Sequence, residues 1–170
     1  GPNQAAARIE SSKIFAKNLM AKHHIPTASC RCFNDSADAR EYILSQEVYP
    51  LVIKADGLAA GKGVFVAQSR DEALQAIGGI EGRILVEEYI WGWEVSLFAV
   101  TDGNNFKTTL FAQDHKQLLD GDKGPNTGGM GAYCPVPEAE PYRAQIEKTI
   151  IGPTLKALRD EGCPYKGFLY

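Results

Sequence analysis

The stretch Lys54-Ala-Asp-Gly-Leu-Ala-Ala-Gly-Lys-Gly-Val64 lies between two short apolar runs, Pro50-Leu51-Val52-Ile53 and Val64-Phe65-Val66-Ala67. Runs of that length and β-branched content read as strands, so this segment is a loop joining two strands. Gly57, Gly61 and Gly63 allow positive φ and close backbone approach. Successive amides can then point at one anion, with Lys54 and Lys62 adding charge. A phosphate cradle and a flexible hairpin with solvated lysines both fit this pattern. A Walker A loop does not. Gly57 and Gly61 enclose three residues instead of four, and Lys62 is followed by Gly63 rather than Ser or Thr.

The remaining segments alternate helical and strand patterns. Residues 1–10 have no clear pattern. Ser11 or Ser12 can cap a helix running to about His24, with Phe15, Ala16, Leu19 and Met20 as its apolar stripe, and Ile25-Pro26 ends it. Lys13 lies in the first turn, where a cation opposes the helix dipole, a mild hint of function. Ala28 to Phe33 reads as a strand, and Asn34-Asp35-Ser36 caps a helix through about Gln46. Ser69-Arg-Asp-Glu72 is a capping box for a short helix that Gly78-Gly79 stops. Arg83 to Tyr89 reads as a buried strand ending in two carboxylates, Glu87 and Glu88. Val95–Val100 and Phe106–Phe111 form a hairpin about Asp102-Gly-Asn-Asn105.

Residues 112–137 show no periodicity and are dense in glycine, with Met130 and Tyr133 among them. Structureless stretches of that length inside compact domains are usually functional or disordered; a functional loop is expected, with Gly128, Gly129 and Gly131 as a second anion nest. A helix from about Pro141 carries Ile146, Ile150 and Ile151. Gly152-Pro153 should break or kink it before Leu155 and Leu158 continue the stripe. Lys166 to Tyr170 reads as a strand just beginning, as expected of a fragment. The whole pattern is α+β.

A length of 170 residues suits one compact domain or two small lobes sharing a hinge. The net charge of −3, with scattered basic residues, argues against a nucleic-acid partner. No apolar run approaches the roughly 20 residues of a membrane span, and no signal-peptide core opens the chain, so a cytoplasmic protein is expected. The four cysteines lack the Cys-x-x-Cys spacing of zinc sites and read as reduced thiols; Cys30 and Cys32 would share one face of their strand. Of the histidines, only His115 stands among polar groups that look purposeful.

Lys13, Lys54 before its glycine-rich hairpin, and Val86-Glu87-Glu88-Tyr89-Ile90 with Glu94 four residues on together resemble an ATP-grasp nucleotide site. The runs Val52 to Val64, Gln113-Asp-His-Lys116 and Gly121-Asp-Lys-Gly-Pro-Asn-Thr-Gly-Gly-Met-Gly-Ala-Tyr133 resemble one ATP-grasp family, the phosphoribosylamine–glycine ligases (glycinamide ribonucleotide synthetases) of de novo purine synthesis. The resemblance covers nearly the whole chain. It implies an α+β ATP-grasp fold with an ATP lid over residues 27–87 and a central subdomain of residues 1–26 and 88–170. It implies that ATP phosphorylates the carboxylate of glycine and that the amine of 5-phosphoribosylamine attacks the acyl phosphate.

By position, the resemblance gives Lys13 and Lys54 the α- and β-phosphates, with Gly57, Gly61 and Gly63 as a backbone lid. Glu87 would take the adenine amino group, the Glu88 and Ile90 backbone the adenine edge, and Glu94 the ribose hydroxyls. Asp114, His115 and Lys116 would serve glycine or phosphoribosylamine, and Asn126, Thr127, Gly128, Gly129 and Gly131 a phosphate or carboxylate. Mg²⁺ or Mn²⁺ is implied too, but the family's Glu and Asn ligands are expected beyond Tyr170. No metal ligand is therefore expected in this chain, which alone should be inactive within a monomeric parent. The connection from Ile77 to Arg83 is several residues shorter than the family's loop. Two other readings remain: a different ATP-grasp carboxylate–amine ligase, or an ATP-binding module that catalyses nothing.

Overall fold

A computed structural model describes residues 1–57, 63–121 and 123–170. Two helices open the chain, α1 (Gln4–Ser11) and α2 (Lys13–Lys22). The first corrects the expectation of no pattern before Ser11. The Asn3 side chain accepts the Ala6 amide at 2.8 Å, and Ala5, Ala6 and Ala7 are strong helix formers. Ser12 caps α2 by accepting the Phe15 amide at 3.2 Å. That helix ends two residues before His24, which itself takes φ 54°, while the Ile25 amide reaches back to the Met20 carbonyl at 2.8 Å. This is a Schellman-type close, with histidine in the left-handed slot that glycine usually fills.

The chain divides into two compact units, one of Ser11–Asn18 and Thr27–Trp91, the other of Gly1–Glu10, Leu19–Pro26 and Gly92–Tyr170. In the first, β1 (Cys30–Phe33), α3 (Ser36–Leu44), β2 (Leu51–Ala55), β3 (Val64–Ala67), α4 (Arg70–Gly78) and β4 (Ile84–Glu88) follow in order. The strands form one antiparallel sheet of order β1-β4-β2-β3. Asp35 caps α3 as expected. Ser69 caps α4 through the Glu72 amide, and the reciprocal arm of the box runs from Glu72 to the Gln68 amide. Both helices pack on one sheet face, where Ala39, Ile43, Ala73 and Ile77 meet Leu51, Ile53, Ile84 and Val86 in a buried core. Strand alternation turns Val52, Lys54, Leu85, Glu87, Cys30 and Cys32 to the opposite face.

The other unit carries β5 (Ala99–Thr101) and β6 (Phe106–Thr108), paired about the Asp102–Asn105 turn. Next come β7 (Gln113–Leu119) and β8 (Lys123–Tyr133), which pair as an antiparallel ribbon with two register shifts. The sequence predicts a functional loop here, and the structure forms it as a strand pair. The ribbon is held by backbone pairing, to which glycine contributes fully, and a glycine-rich strand shows no side-chain alternation to read. Its outer end is exposed, and Tyr133 closes its base by donating to Gln113 at 2.5 Å.

A continuous helical stretch follows: a 3₁₀ turn over Pro137–Tyr142, α5 (Arg143–Ile146), a π turn over Glu147–Ile151 and α6 (Gly152–Asp160). Gly152-Pro153 therefore distorts the helix instead of breaking it. The Gly152 amide bonds the Glu147 carbonyl, and a Cβ on Gly152 would stand 3.0 Å from that oxygen. The widened turn takes up the missing Pro153 donor. Last, β9 (Gly167–Leu169) pairs with β5.

Candidate functional site

Glu87 sits on β4 with 4% of its side chain exposed. A carboxylate so placed needs partners, and two lysines supply them. Lys54, diagonal to it on β2, holds Oε2 at 2.8 Å, and Lys17 of α2 stands 3.5 Å from Oε1. Lys17 is itself fixed, donating to the Thr27 hydroxyl at 2.7 Å and the Ala28 carbonyl at 2.8 Å. Glu87 Oε1 is buried and receives no hydrogen bond among the described residues. A buried acceptor is thus held open between two cations.

One strand over, the start of the glycine-rich loop is tied to α2. The Lys13 ammonium donates to the Ala55 and Gly57 carbonyls at 2.9 and 2.7 Å. Between them, Asp56 accepts the Ile14 amide at 3.1 Å and the Ser12 hydroxyl at 3.2 Å, and pairs with Arg83 at 2.5 Å. Burial pushes the Asp56 carboxyl up, but these donors outweigh it and hold the group below the ordinary aspartate range. Lys13 in the first turn is now explained: Asp56 supplies the anion that the amino end of α2 favours, and Lys13 reaches away to the loop. Gly57 takes φ 90°, and the Gly63 carbonyl accepts the Ala55 amide at 2.8 Å. Gly61 and Lys62 lie outside the described residues.

Asp56→Ala should cost about 2 kcal/mol of stability at neutral pH, because it removes a charge-assisted cap and the Arg83 partner together. A folded-state value below the unfolded one stabilises above the unfolded value, near pH 3.9, and is lost as pH falls through the folded value. Denaturant midpoints of wild type and variant should therefore differ at pH 7 and draw together below about pH 4. A gap that stays constant across that range would rule out the ionised cap.

Glu88 points the other way. Its carboxylate accepts the Ser29 amide at 2.7 Å and its own amide donates to the Ser29 carbonyl at 3.1 Å, while Ile90 is exposed. In the other unit, Glu94 ion-pairs with Lys116, which also lies 3.7 Å from Asp114. Burial lowers the Lys116 ammonium, and the Glu94 and Asp114 carboxylates outweigh it, so that it stays above its ordinary value. His115 stacks on Tyr133 with centroids 5.9 Å apart. Thr127 donates to the Lys116 carbonyl at 2.9 Å and accepts the Gly129 amide at 3.0 Å, fixing the stretch of β8 at the register shift, where Asn126 stands exposed. Added Cβ atoms on Gly128 and Gly131 would meet nothing within 4 Å, and neither takes positive φ. No feature of their own surroundings requires glycine at those two positions. Among the described residues no cluster of three or more His, Cys, Asp or Glu could hold a metal ion.

Lysines and a buried carboxylate lie on the face of an antiparallel sheet opposite its two packed helices, with a separate glycine-rich ribbon in the other unit. The family model described as phosphoribosylglycinamide synthetase, ATP-grasp (A) domain, matches residues 11–170. The chain belongs to this ATP-grasp family. Its relatives include the phosphoribosylamine–glycine ligase of Chlorobaculum tepidum, 47% identical over 180 aligned positions that take in all of this chain and 42% of that protein. The crystal structure of phosphoribosylamine–glycine ligase from Thermotoga maritima superposes with a TM-score of 0.88 at 40% identity, covering 99% of this chain and 45% of that one. N5-carboxyaminoimidazole synthase of Aspergillus clavatus, at 19% identity and a TM-score of 0.69, shares the fold. The chain thus spans about two fifths of the length of the relatives it matches. An alignment of 180 positions for 170 residues also means that the relative has residues opposite gaps in this chain.

Reading the sequence missed Lys17. The available signal was its place four residues after Lys13, on the same helix face. It also missed Asp56 as a cap, which needs the fold to bring the loop to the helix end.

Proposed function

We propose that this chain is the ATP-binding core of a phosphoribosylamine–glycine ligase, which joins glycine to 5-phosphoribosylamine through a glycyl phosphate and releases ADP and phosphate. The observation that carries the nucleotide part is Glu87 Oε1, a buried acceptor left open beside two lysines. An adenine amino group is a donor that fits such an acceptor. An ammonium has three donors. Lys13 has two on carbonyls and Lys54 one on Glu87, so each keeps capacity for phosphate oxygens. Gly57, Gly61 and Gly63 supply backbone over the phosphates, residues 27–87 act as the lid, and Ile90 and Glu88 present backbone to the adenine edge. Glu94 takes the ribose hydroxyls.

For the acceptor substrates we assign Asp114, His115 and Lys116 to glycine or the phosphoribosylamine amine. The ribbon from Asn126 and Thr127 through Gly128, Gly129 and Gly131 serves a phosphate or carboxylate. Unneeded by local packing, the bare backbone at Gly128 and Gly131 suits a ligand lying directly on it. Transfer of this kind relies on positioning and charge neutralisation more than on a protein nucleophile. No step is assigned to a metal here; by the resemblance to the family, Mg²⁺ or Mn²⁺ would be held by residues of other parts of the parent, which we take to be monomeric and cytoplasmic.

The test is ADP release by the full-length parent. It should require both glycine and phosphoribosylamine, and ADP release with other amine acceptors in place of phosphoribosylamine would overturn the assignment in favour of another carboxylate–amine ligase.

A further inference from the structure

Cys30 and Cys32 stand at alternate positions of β1, an edge strand of the sheet, opposite Glu87 and Leu85 respectively. They therefore share the face that carries Glu87 and Lys54. Neither is in a disulfide; Cys32 is exposed and Cys30 partly so. Two residues along a strand span about 6.7 Å between Cα atoms, at the upper edge of the roughly 4.4–6.8 Å that a disulfide accepts. A direct S–S bond would pull the strand out of shape, whereas a bridging atom adds a second bond to the span. Burial, and then the neighbouring Cys30, push the Cys32 thiol up to about 11, so it stays protonated at neutral pH.

We propose that Cys30 and Cys32 form a dithiol site that takes a trivalent arsenical across both sulfurs. Two S–H bonds break and two As–S bonds form; the arsenic-bound oxygen leaves with both protons as water. Arsenic stays trivalent, so no oxidant or reductant is consumed. The other two thiols cannot chelate in this way: Cys134 is exposed but stands apart in sequence and unit, and Cys163 is buried. A consequence that rests on the nucleotide reading above is that the adduct, lying beside Glu87, blocks ATP.

Phenylarsine oxide is the probe. Intact-mass analysis of the treated chain should show one phenylarsenic group per chain that survives excess glutathione and is released by dithiothreitol. Peptide mapping should place it on residues 30 and 32. Cys30→Ser and Cys32→Ser should each speed its loss to glutathione at least about tenfold, since one bond replaces a chelate. An adduct that glutathione strips from the unsubstituted chain, or one mapped elsewhere, overturns the site; the mapping needs no variant to fold. Calorimetry with Mg·ATP reads the consequence. The adducted chain should bind at least about tenfold more weakly than the untreated one, and equal binding would overturn the placement beside the nucleotide. If the untreated chain itself binds no ATP, the nucleotide reading fails while the mass result still decides the dithiol site.

Discussion

Lys54→Ala in the full-length parent should lower kcat/KM for ATP roughly 100- to 1,000-fold, the usual effect of deleting one fixed charge or donor aimed at a developing anion. Lys54 has the geometry for it. Its stem rises from β2 beside the glycine-rich loop, and its ammonium is fixed at 2.8 Å from Glu87, with no further partner among the described residues. The protein should remain folded, because Lys17 still faces Glu87 and the loss is one partner of a partly exposed pair, on the order of 1–2 kcal/mol. Steady-state kinetics alongside a denaturant midpoint separates the two effects. Unchanged kinetics would show that Lys54 does not hold the phosphates.

Glu87→Ala should be the most damaging substitution to the sheet. It removes the anion that, among the described residues, faces both Lys17 and Lys54, whose side chains are 12% and 26% exposed, and stranding two partly buried charges at once costs about 3 kcal/mol or more. Glu87→Met with Lys17→Met should recover much of that stability, since an apolar replacement no longer strands the Lys17 charge. The double variant should nonetheless fail to bind ATP. Stability regained without binding would identify the carboxylate as a ligand group as well as a fold element. Binding that returned with stability would reduce Glu87 to a structural role.

How much of this was legible depended on what each residue signals. Helices α3 and α4 and strands β2, β3 and β4 carry caps, glycine stops and apolar runs, all local chemistry, and they formed where expected. The β7–β8 ribbon was not legible, because its pairing is backbone to backbone and glycine gives no alternation. Helix α1 could have been found from Asn3 and its alanines. Lys54 and Glu87 stood out by position in sequence, but the ion pair joining them depends on the register that sets Val52 against Glu87. Lys17 and Asp56 look like ordinary surface charges until α2 is laid beside Thr27 and the loop.

The central claim is that Glu87 Oε1 waits for a donor on a nucleotide base. Titrating the chain with Mg·ATP and with Mg·GTP by calorimetry tests it directly. Adenine offers an amino hydrogen at the position where guanine presents an oxygen, which would face a buried carboxylate with no proton between them. ATP should bind at least about tenfold more tightly than GTP, the cost of leaving buried polar groups unpaired. Equal affinities, or no binding of either nucleotide, would contradict it.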